Sequence, residues 1–416
     1  MKRKMDTGAP DASPEMSPVW ATLEAYARGK IQELLQALLD EEVTAFLGRA
    51  KYERGAGASG GYRNGYGKPR RVTLMNGTVV VRRPRVRGLE ERFESQLLPF
   101  FKNQTAAVTE LLHQGYLHGM ATGDFELALR HLLGEGAPLS AASLCRLKAR
   151  WRDEYEAWRA RPLDGLEVVY WWADGIYVKA GVDDGKAAVL VIIGALSDGT
   201  KVVLAVDSGQ RESTESWARV LRELQARGLR APRLTIADGH LGLWGALAQL
   251  YPDSAEQRCW THKMLNVLDT VPTGRQAEVR GWLRQLMYAD TRAACERLRT
   301  RFAARYQARD PKAVATLERD WERLITFFDF PKDHWGHLRT TNVVESPFAA
   351  VRLRTTAAKR FKRVEHATAL IWKVLGVAER NFRALKAPRR CAEVWAGAVF
   401  RDGEPVPAAH SNQVAA

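Results

Sequence analysis

Apolar residues first recur at helical spacing between Val19 and Leu47. Ile31, Leu34, Leu35, Leu38 and Leu39 fall on one side of a 3.6-residue period and predict a long amphipathic helix. The pattern then breaks. From Glu53 to Gly88 the chain is dense in glycine, arginine and lysine, and Asn76-Gly77 between two β-prone runs predicts a hairpin. Residues 104–160 return to helical spacing. Thr122 is a candidate cap for a helix ending at Leu133, Gly134 and Gly136 predict a turn, and Ser140 is a second cap. In the helix that follows, Leu144, Leu147, Trp151, Tyr155 and Trp158 form one apolar stripe. At Leu166 the texture becomes β-branched. LEVVYWW, IYVKA, AAVLVIIGAL and KVVLAV read as successive strands, the third buried on both faces. A helix over residues 215–227 and the strand RLTIA, ending at Ala237, complete a mixed α/β sheet. Residues 263–329 lose the period of two and turn helical and charged, and a basic helical region follows Pro331 as far as Leu385.

These changes of texture divide the chain. Residues 1–18, rich in Pro, Ser, Asp and Gly, read as a disordered tail. An N-terminal helix and basic β-ribbon occupy 19–103, and a helical region occupies 104–160. The α/β core spans 161–258 and resumes over 336–400, around a helical insertion at 259–335. Residues 401–416 are a loose tail.

Charge sharpens the picture. Among 416 residues, 63 are Lys or Arg against 48 Asp or Glu, a net charge of +15 on a chain whose 46% hydrophobic content is that of a globular protein. Such an excess favours a polyanionic partner, nucleic acid being the commonest, although a basic surface without a partner has the same composition. Arg63, Lys68, Arg70, Arg71, Arg82, Arg83 and Arg85, with Tyr62 and Tyr66 interleaved, make a ribbon suited to a DNA backbone or groove; a solvated loop is the alternative. Arg146 and Arg150 lie off the apolar stripe of the helix after Ser140. Helix, glycine turn and basic helix fit a helix-turn-helix, and equally any αα-hairpin. Four scattered cysteines encode neither a disulfide framework nor a zinc ribbon, and fit a reducing cytosol. The N-terminus lacks the apolar run of a signal peptide, and no apolar stretch is long enough for a membrane span. The expected location is cytoplasmic.

Two acids stand where strands are expected to end. Asp174 follows VVYWWA and precedes Gly175, and Asp238 follows RLTIA and precedes Gly239. Ligands bind beyond the carboxyl ends of strands in open α/β sheets, though an Asp-Gly after a strand is also an ordinary turn. Hard divalent cations need such oxygen donors. Glu345 has two readings. Asn342-x-x-Glu345 is a capping-box variant, in which the carboxylate turns back to the helix N-terminus. Alternatively the fold brings that helix beside the two aspartates. Cys259-x-x-His262 supplies half of a tetrahedral site, so a packed pair is the simpler reading.

Together these segments resemble the mutator-type transposases of bacterial insertion sequences, a branch of the RNase H-like DDE superfamily. The resemblance runs over roughly residues 30–385. It rests on GYRNG, VTLMNGTVVVRRPRVRG, GMATGDFE, LSAASLCRL, ADGIYVK, IADGHLGLW, QRCWTHK and RTTNVVES, in that order. It implies an RNase H-like mixed sheet interrupted by an all-helical insertion and preceded by a mainly helical DNA-binding region. Asp174, Asp238 and Glu345 would then be the catalytic and metal-binding triad, with two Mg²⁺ ions (Mn²⁺ substituting) serving DNA cleavage and strand transfer. Lys179 and His240 near the acids, and Trp321 in the insertion, become candidate DNA contacts, with Trp321 equally suited to a core. The implied partners are terminal inverted repeats and target DNA, bound by a homo-oligomer in the nucleoid. Gly123 departs from the family, where a basic residue is usual, and argues against a DNA contact there. An RNase H-like nuclease that does not transpose, or a non-catalytic DNA-binding protein, remains an alternative; only a transposase joins 3′ ends to a target.

Overall fold

The computed structural model describes residues 18–53, 61–98, 103–121, 124–133, 141–180, 186–209, 212–239 and 241–407. The expected tails up to residue 17 and from residue 408, the capping and turn residues Thr122, Gly134, Gly136 and Ser140, the departure at Gly123 and the candidate contact His240 lie outside them. The chain divides into two compact units, the first ending at Cys145 and the second taking up from Arg146 together with Leu117–Gly119.

In the first unit, α1 (Pro18–Leu47) packs on a hairpin of β1 (Tyr62–Leu74) and β2 (Gly77–Arg87), followed by α2 (Ala106–Leu117) and α3 (Asp124–Leu133). The hairpin closes at Leu74 opposite Gly77, whose φ of 114° only glycine adopts without strain. Val72, Val79 and Val81 turn one face of the ribbon onto Leu39, Ile31 and Leu35 of α1, as the helical period predicts. Gln36 of α1 bonds both backbone groups of Arg82 (2.9 and 3.0 Å), and Gln32, one turn earlier, accepts from the N–H of Val80 at 3.1 Å. Two side chains thereby satisfy backbone groups that a two-stranded ribbon leaves open.

The second unit opens within α4 (Ala141–Ala160), at Arg146, and builds a five-stranded sheet. Its strands are β3 (Val168–Lys179), β4 (Lys186–Leu196), β5 (Lys201–Gly209), β6 (Leu234–Ala237) and β7 (Ala255–Arg258), in the order β5-β4-β3-β6-β7. The β3–β4 and β4–β5 pairs are antiparallel, while β3–β6 and β6–β7 are parallel. The parallel pairs need crossovers, supplied by α5 (Thr214–Ala226) and α6 (Leu241–Leu250). On one face Trp171, Ala173, Leu190 and Ile192 bury against Trp217, Leu221, Leu243 and Tyr251 of that helical layer. The other face of β3 meets the chain around residue 335: the Tyr170 hydroxyl bonds His334 Nδ1 at 2.8 Å, and Trp172 Nε1 donates to the His337 carbonyl at 2.9 Å.

From α7 (Trp260–Leu268) the chain is helical through α8 (Thr273–Met287), α9 (Arg292–Tyr306), α10 (Pro311–Glu318) and α11 (Trp321–Ile325). It returns through the short helices α12 (Trp335–Leu338) and α13 (Asn342–Glu345) to α14 (Phe348–Ala358), α15 (Val364–Glu379) and α16 (Arg389–Trp395). A small hairpin of β8 (Phe400–Arg401) and β9 (Glu404–Pro405) follows. No helix among the described residues is long and apolar enough to cross a membrane.

Two sequence expectations change. LEVVYWW and IYVKA are one strand, β3, which continues through Asp174-Gly175 because β4 pairs with it along its whole length. From Leu147 on, the stripe of α4 packs within the second unit. Tyr155 donates to the Val206 carbonyl at 2.8 Å, and the Tyr155, Trp158 and Trp372 rings pack 5.8–6.1 Å apart.

Candidate active site

The strand register brings the two aspartates together. β3 and β6 pair in parallel up to Ala173 opposite Ala237, so Asp174 and Asp238 are the next residues on adjacent strands, which run about 4.8 Å apart in a sheet. Asp174 thus marks where β6 ends, while β3 runs on past it. Its Oδ1 accepts the Gly175 N–H at 2.8 Å. Gly239, at φ 101°, turns the chain away after Asp238; a side chain there would strike the Arg258 guanidinium, which is itself paired with Asp320.

Glu345 comes from α13, which packs against β3 and β4. The capping reading is not what forms. The N-cap is Thr341, not Asn342, and its hydroxyl bonds the Glu345 carboxylate. Burial pushes the Asp174 carboxyl up to about 7; the Gly175 N–H pulls against this, and the negative charges of Asp238, Glu345 and Glu212 add to it. Three sequence-distant acids therefore share one electrostatic environment with a fourth, Glu212, that carries no recognisable motif.

The Cys259–His262 pair adjoins the third acid. Donor atoms of Cys259, His262 and Glu345 all lie within 4.8 Å of one another. The buried Cys259 Sγ accepts the Thr341 N–H at 3.4 Å and is 3.2 Å from the Thr341 hydroxyl, and His262 Nδ1 stands 3.8 Å from the Glu345 carboxylate. Burial pushes the Cys259 thiol up, but hydrogen bonding and charge from His262, with Thr341 bonds, bring it below its usual value. His262 is raised to about 9, first by its bond to Cys259 and further by the charges of Glu345 and Asp238, with burial opposing. A hydroxyl has one proton to give. With the Thr341 N–H already on sulfur, that proton serves the carboxylate, and Thr341 ties Glu345 to the Cys259–His262 pair. If Glu345 is the metal-binding acid that the resemblance implies, Thr341→Val should lower DNA joining by about 10–100-fold, the usual effect of losing a group that orients a ligand. Thr341→Ser should stay close to the unaltered protein. A fully active Val variant would contradict this role, and joining assays with thermal unfolding separate it from simple destabilisation.

The candidate DNA contacts divide. Lys68, Arg71, Arg82 and Arg85 are exposed on the ribbon, as are Arg146 and Arg150 on α4 and Lys179 at the end of β3. Arg63, Arg70 and Arg83 instead brace the first unit: Arg63 bonds Thr44 Oγ1 at 2.8 Å, Arg70 bonds Asn103 Oδ1 at 2.8 Å and Arg83 donates to the Phe93 carbonyl at 3.1 Å. Trp321 is a core residue, 3% exposed, with its ring edge-on to Trp260 and its Nε1 donating to Glu296 at 2.7 Å, so it offers DNA no surface. Sequence reasoning missed a further basic cluster. The Phe361 N–H donates to the Lys179 carbonyl at 3.0 Å and pins Lys359, Arg360, Lys362 and Arg363, all exposed, at the end of β3. Its signal is the run KRFKR, four cations around one buried aromatic.

Comparison with known proteins identifies the family of the chain. The family model "Transposase, Mutator family" matches residues 17–384. The transposase for insertion sequence element IS6120 of Mycolicibacterium smegmatis is 42% identical over 296 residues, 71% of this chain and 92% of the relative. That for IST2 of Acidithiobacillus ferrooxidans is 42% identical over 280 residues, 67% of this chain and 95% of the relative. That for IS406 of Burkholderia multivorans is 32% identical over 368 residues, 86% and 93% of the two chains. The chain belongs to the Mutator family of transposases.

Proposed function

We propose that this protein is a DNA transposase of an insertion sequence, and that Asp174, Asp238 and Glu345 are the metal-binding acids with which it cuts and joins DNA. The observation that carries the reading is the mutual placement of the acids: two on the first rung beyond a parallel strand pair, the third on a helix packed against the same strand, each charge bearing on Asp174. Crowded carboxylates are costly alone and are relieved by a cation. The donors are hard oxygens, which suits Mg²⁺, with Mn²⁺ as a substitute. An order of antiparallel and then parallel strands around a central β3 supports an RNase H-like sheet, with α7–α11 as its helical insertion.

Two divalent ions held there would supply an activated water or DNA 3′-hydroxyl and stabilise the leaving oxygen of an in-line displacement. The protein's own residues do the rest. Asp174 is held by the Gly175 N–H, and Glu345 by Thr341. Exposed cations of the ribbon, of α4 and of the cluster after Lys179 hold the phosphate backbone, with terminal inverted repeats read by the first unit. The active form is an oligomer on DNA.

A pH experiment tests the site. Asp174 must lose a proton to bind a cation, and its folded-state pKa lies near 7. Mn²⁺ affinity of the DNA-free protein should therefore be about tenfold higher at pH 8 than at pH 6. The sign is opposite for the metal-free fold. A raised carboxyl pKa means that the folded state binds more protons there, so the stability that Asp174 contributes falls as pH rises from about 4 to 7. Titration calorimetry that finds no binding, or affinity independent of pH, would count against the site.

A further inference from the structure

We infer that Glu212, which no sequence motif marks, is a fourth carboxylate of this acid site and contributes an oxygen ligand, directly or through a bound water, to the cation held by Asp174. The inference rests on the metal reading given above.

Glu212 lies in the segment between β5 and α5, just before Ser213, whose side chain caps α5. It is only 7% exposed. Its carboxylate lies directly on the backbone of the residue after the first acid: a Cβ on Gly175 would stand 2.5 Å from Glu212 Oε1 and 2.6 Å from its Cδ. The same Gly175 gives its N–H to Asp174 Oδ1. Both carboxylates therefore adjoin one residue, Asp174 at its N–H and Glu212 on the side that its Cβ would take.

The second acid-bearing motif holds the same segment from the other side. A Cβ on Gly242, four residues after Asp238, would stand 2.5 Å from the Glu212 carbonyl oxygen and 2.8 Å from Thr214 N. Both glycines have negative or extended backbone dihedrals, so neither is required for a left-handed turn. What they provide is room. ADGIY leaves space for the Glu212 side chain and IADGHLG for its backbone, and the outcome is a carboxylate placed between the two motifs that carry the catalytic aspartates.

Tyr177, two residues beyond Gly175 on the same face of β3, shares a hydrogen bond with the Glu212 side chain. That contact offers the structural alternative, in which Glu212 only anchors the start of α5. The two roles differ in what they need from the side chain. An anchor needs a hydrogen-bonding group of this size, whereas a ligand needs the negative charge. Two buried carboxylates of like charge raise each other's cost of ionisation, and a shared cation would lower it.

The test is Mn²⁺ binding to the full-length chain without DNA, followed by calorimetry and electron paramagnetic resonance, with thermal unfolding alongside. Four variants are compared with the unaltered protein: Asp174→Asn, Glu212→Gln, Glu212→Asp and Tyr177→Phe. Glu212→Gln preserves size and hydrogen bonding and should weaken Mn²⁺ binding about 10–100-fold at unchanged melting temperature. Glu212→Asp keeps the charge but retracts it, and should fall between Gln and the unaltered chain. Tyr177→Phe should bind Mn²⁺ within about threefold of normal. If Asp174→Asn loses the ion while Glu212→Gln and Glu212→Asp bind as the unaltered chain does, Glu212 is an anchor and the inference is overturned alone. If the unaltered chain binds no Mn²⁺, or Asp174→Asn binds it equally well, the metal reading fails and Glu212 falls with it. Should the Gln variant unfold, Glu212→Asp decides: affinity equal to normal in a folded Asp variant overturns the assignment.

Discussion

Replacing any one of Asp174, Asp238 or Glu345 by its amide should abolish both cleavage and joining, by about 10³-fold or more, while binding to element-end DNA changes by no more than about threefold. The loss corresponds to about 4 kcal/mol of transition-state stabilisation. Each amide keeps the shape of the side chain and removes the charge that a divalent ion needs. Binding survives because the exposed cations of the ribbon and of α4 lie on other elements. The effects should also fail to multiply. Three groups that hold the same ions act as a unit, so a double variant should be no more impaired than a single one. Asp174→Asn carries an extra consequence: it removes a carboxyl that burial holds near pH 7, so the metal-free variant should lose the share of pH-dependent stability that Asp174 contributes between about pH 4 and 7. Cleavage of labelled element ends, gel shifts and thermal unfolding measure these three outcomes. A variant that transposes at the normal rate would remove its residue from the site.

The second large effect concerns salt. Affinity for element ends should fall about 10³–10⁵-fold between 50 and 200 mM salt, as expected when many phosphate contacts release counterions. Changing Lys68, Arg71, Arg82 and Arg85 together to Ala should reduce the log–log salt slope by about 3–4, because each phosphate contact contributes about 0.9. All four are exposed, whereas Arg63, Arg70 and Arg83 are engaged within the first unit. Alanine at those three should therefore cost stability as well as affinity. An unchanged slope in the fourfold variant would move the DNA-binding surface elsewhere, with Lys359, Lys362 and Arg363 the next to examine.

Much of the sheet was legible because its strands are β-branched runs with local signals. The long first helix and the Asn76-Gly77 hairpin were legible for the same reason. The strand register was not. Asp174-Gly175 reads locally as a turn, and only pairing with β4 shows that β3 continues through it. Asp174 and Asp238 stand out locally as acids after apolar strands, whereas for Glu345 spacing alone favours a cap and only the resemblance sets it beside them. Its actual partner, Thr341, is fixed by Cys259, 82 positions away in the chain, a distance at which no periodicity carries information. Trp321 shows the converse: an aromatic in a helical insertion has the same sequence appearance whether it faces DNA or, as here, Trp260. Glu212 had no signal at all. It is one acid among 48, and the features that single it out are two glycines located in other motifs.

The most direct test of the central claim is a joining reaction with purified full-length protein. Linear DNA ending in the inverted repeats that flank the gene, with free 3′-hydroxyls, is mixed with a supercoiled target and Mg²⁺. The expectation is products in which those 3′ ends are covalently joined to target strands, dependent on Mg²⁺ or Mn²⁺, abolished by a chelator and absent with Asp174→Asn, Asp238→Asn or Glu345→Gln. Joining that persists in the chelator, or that all three variants perform as well as the unaltered chain, would contradict it. Cleavage without any joined product would leave a nuclease in place of a transposase.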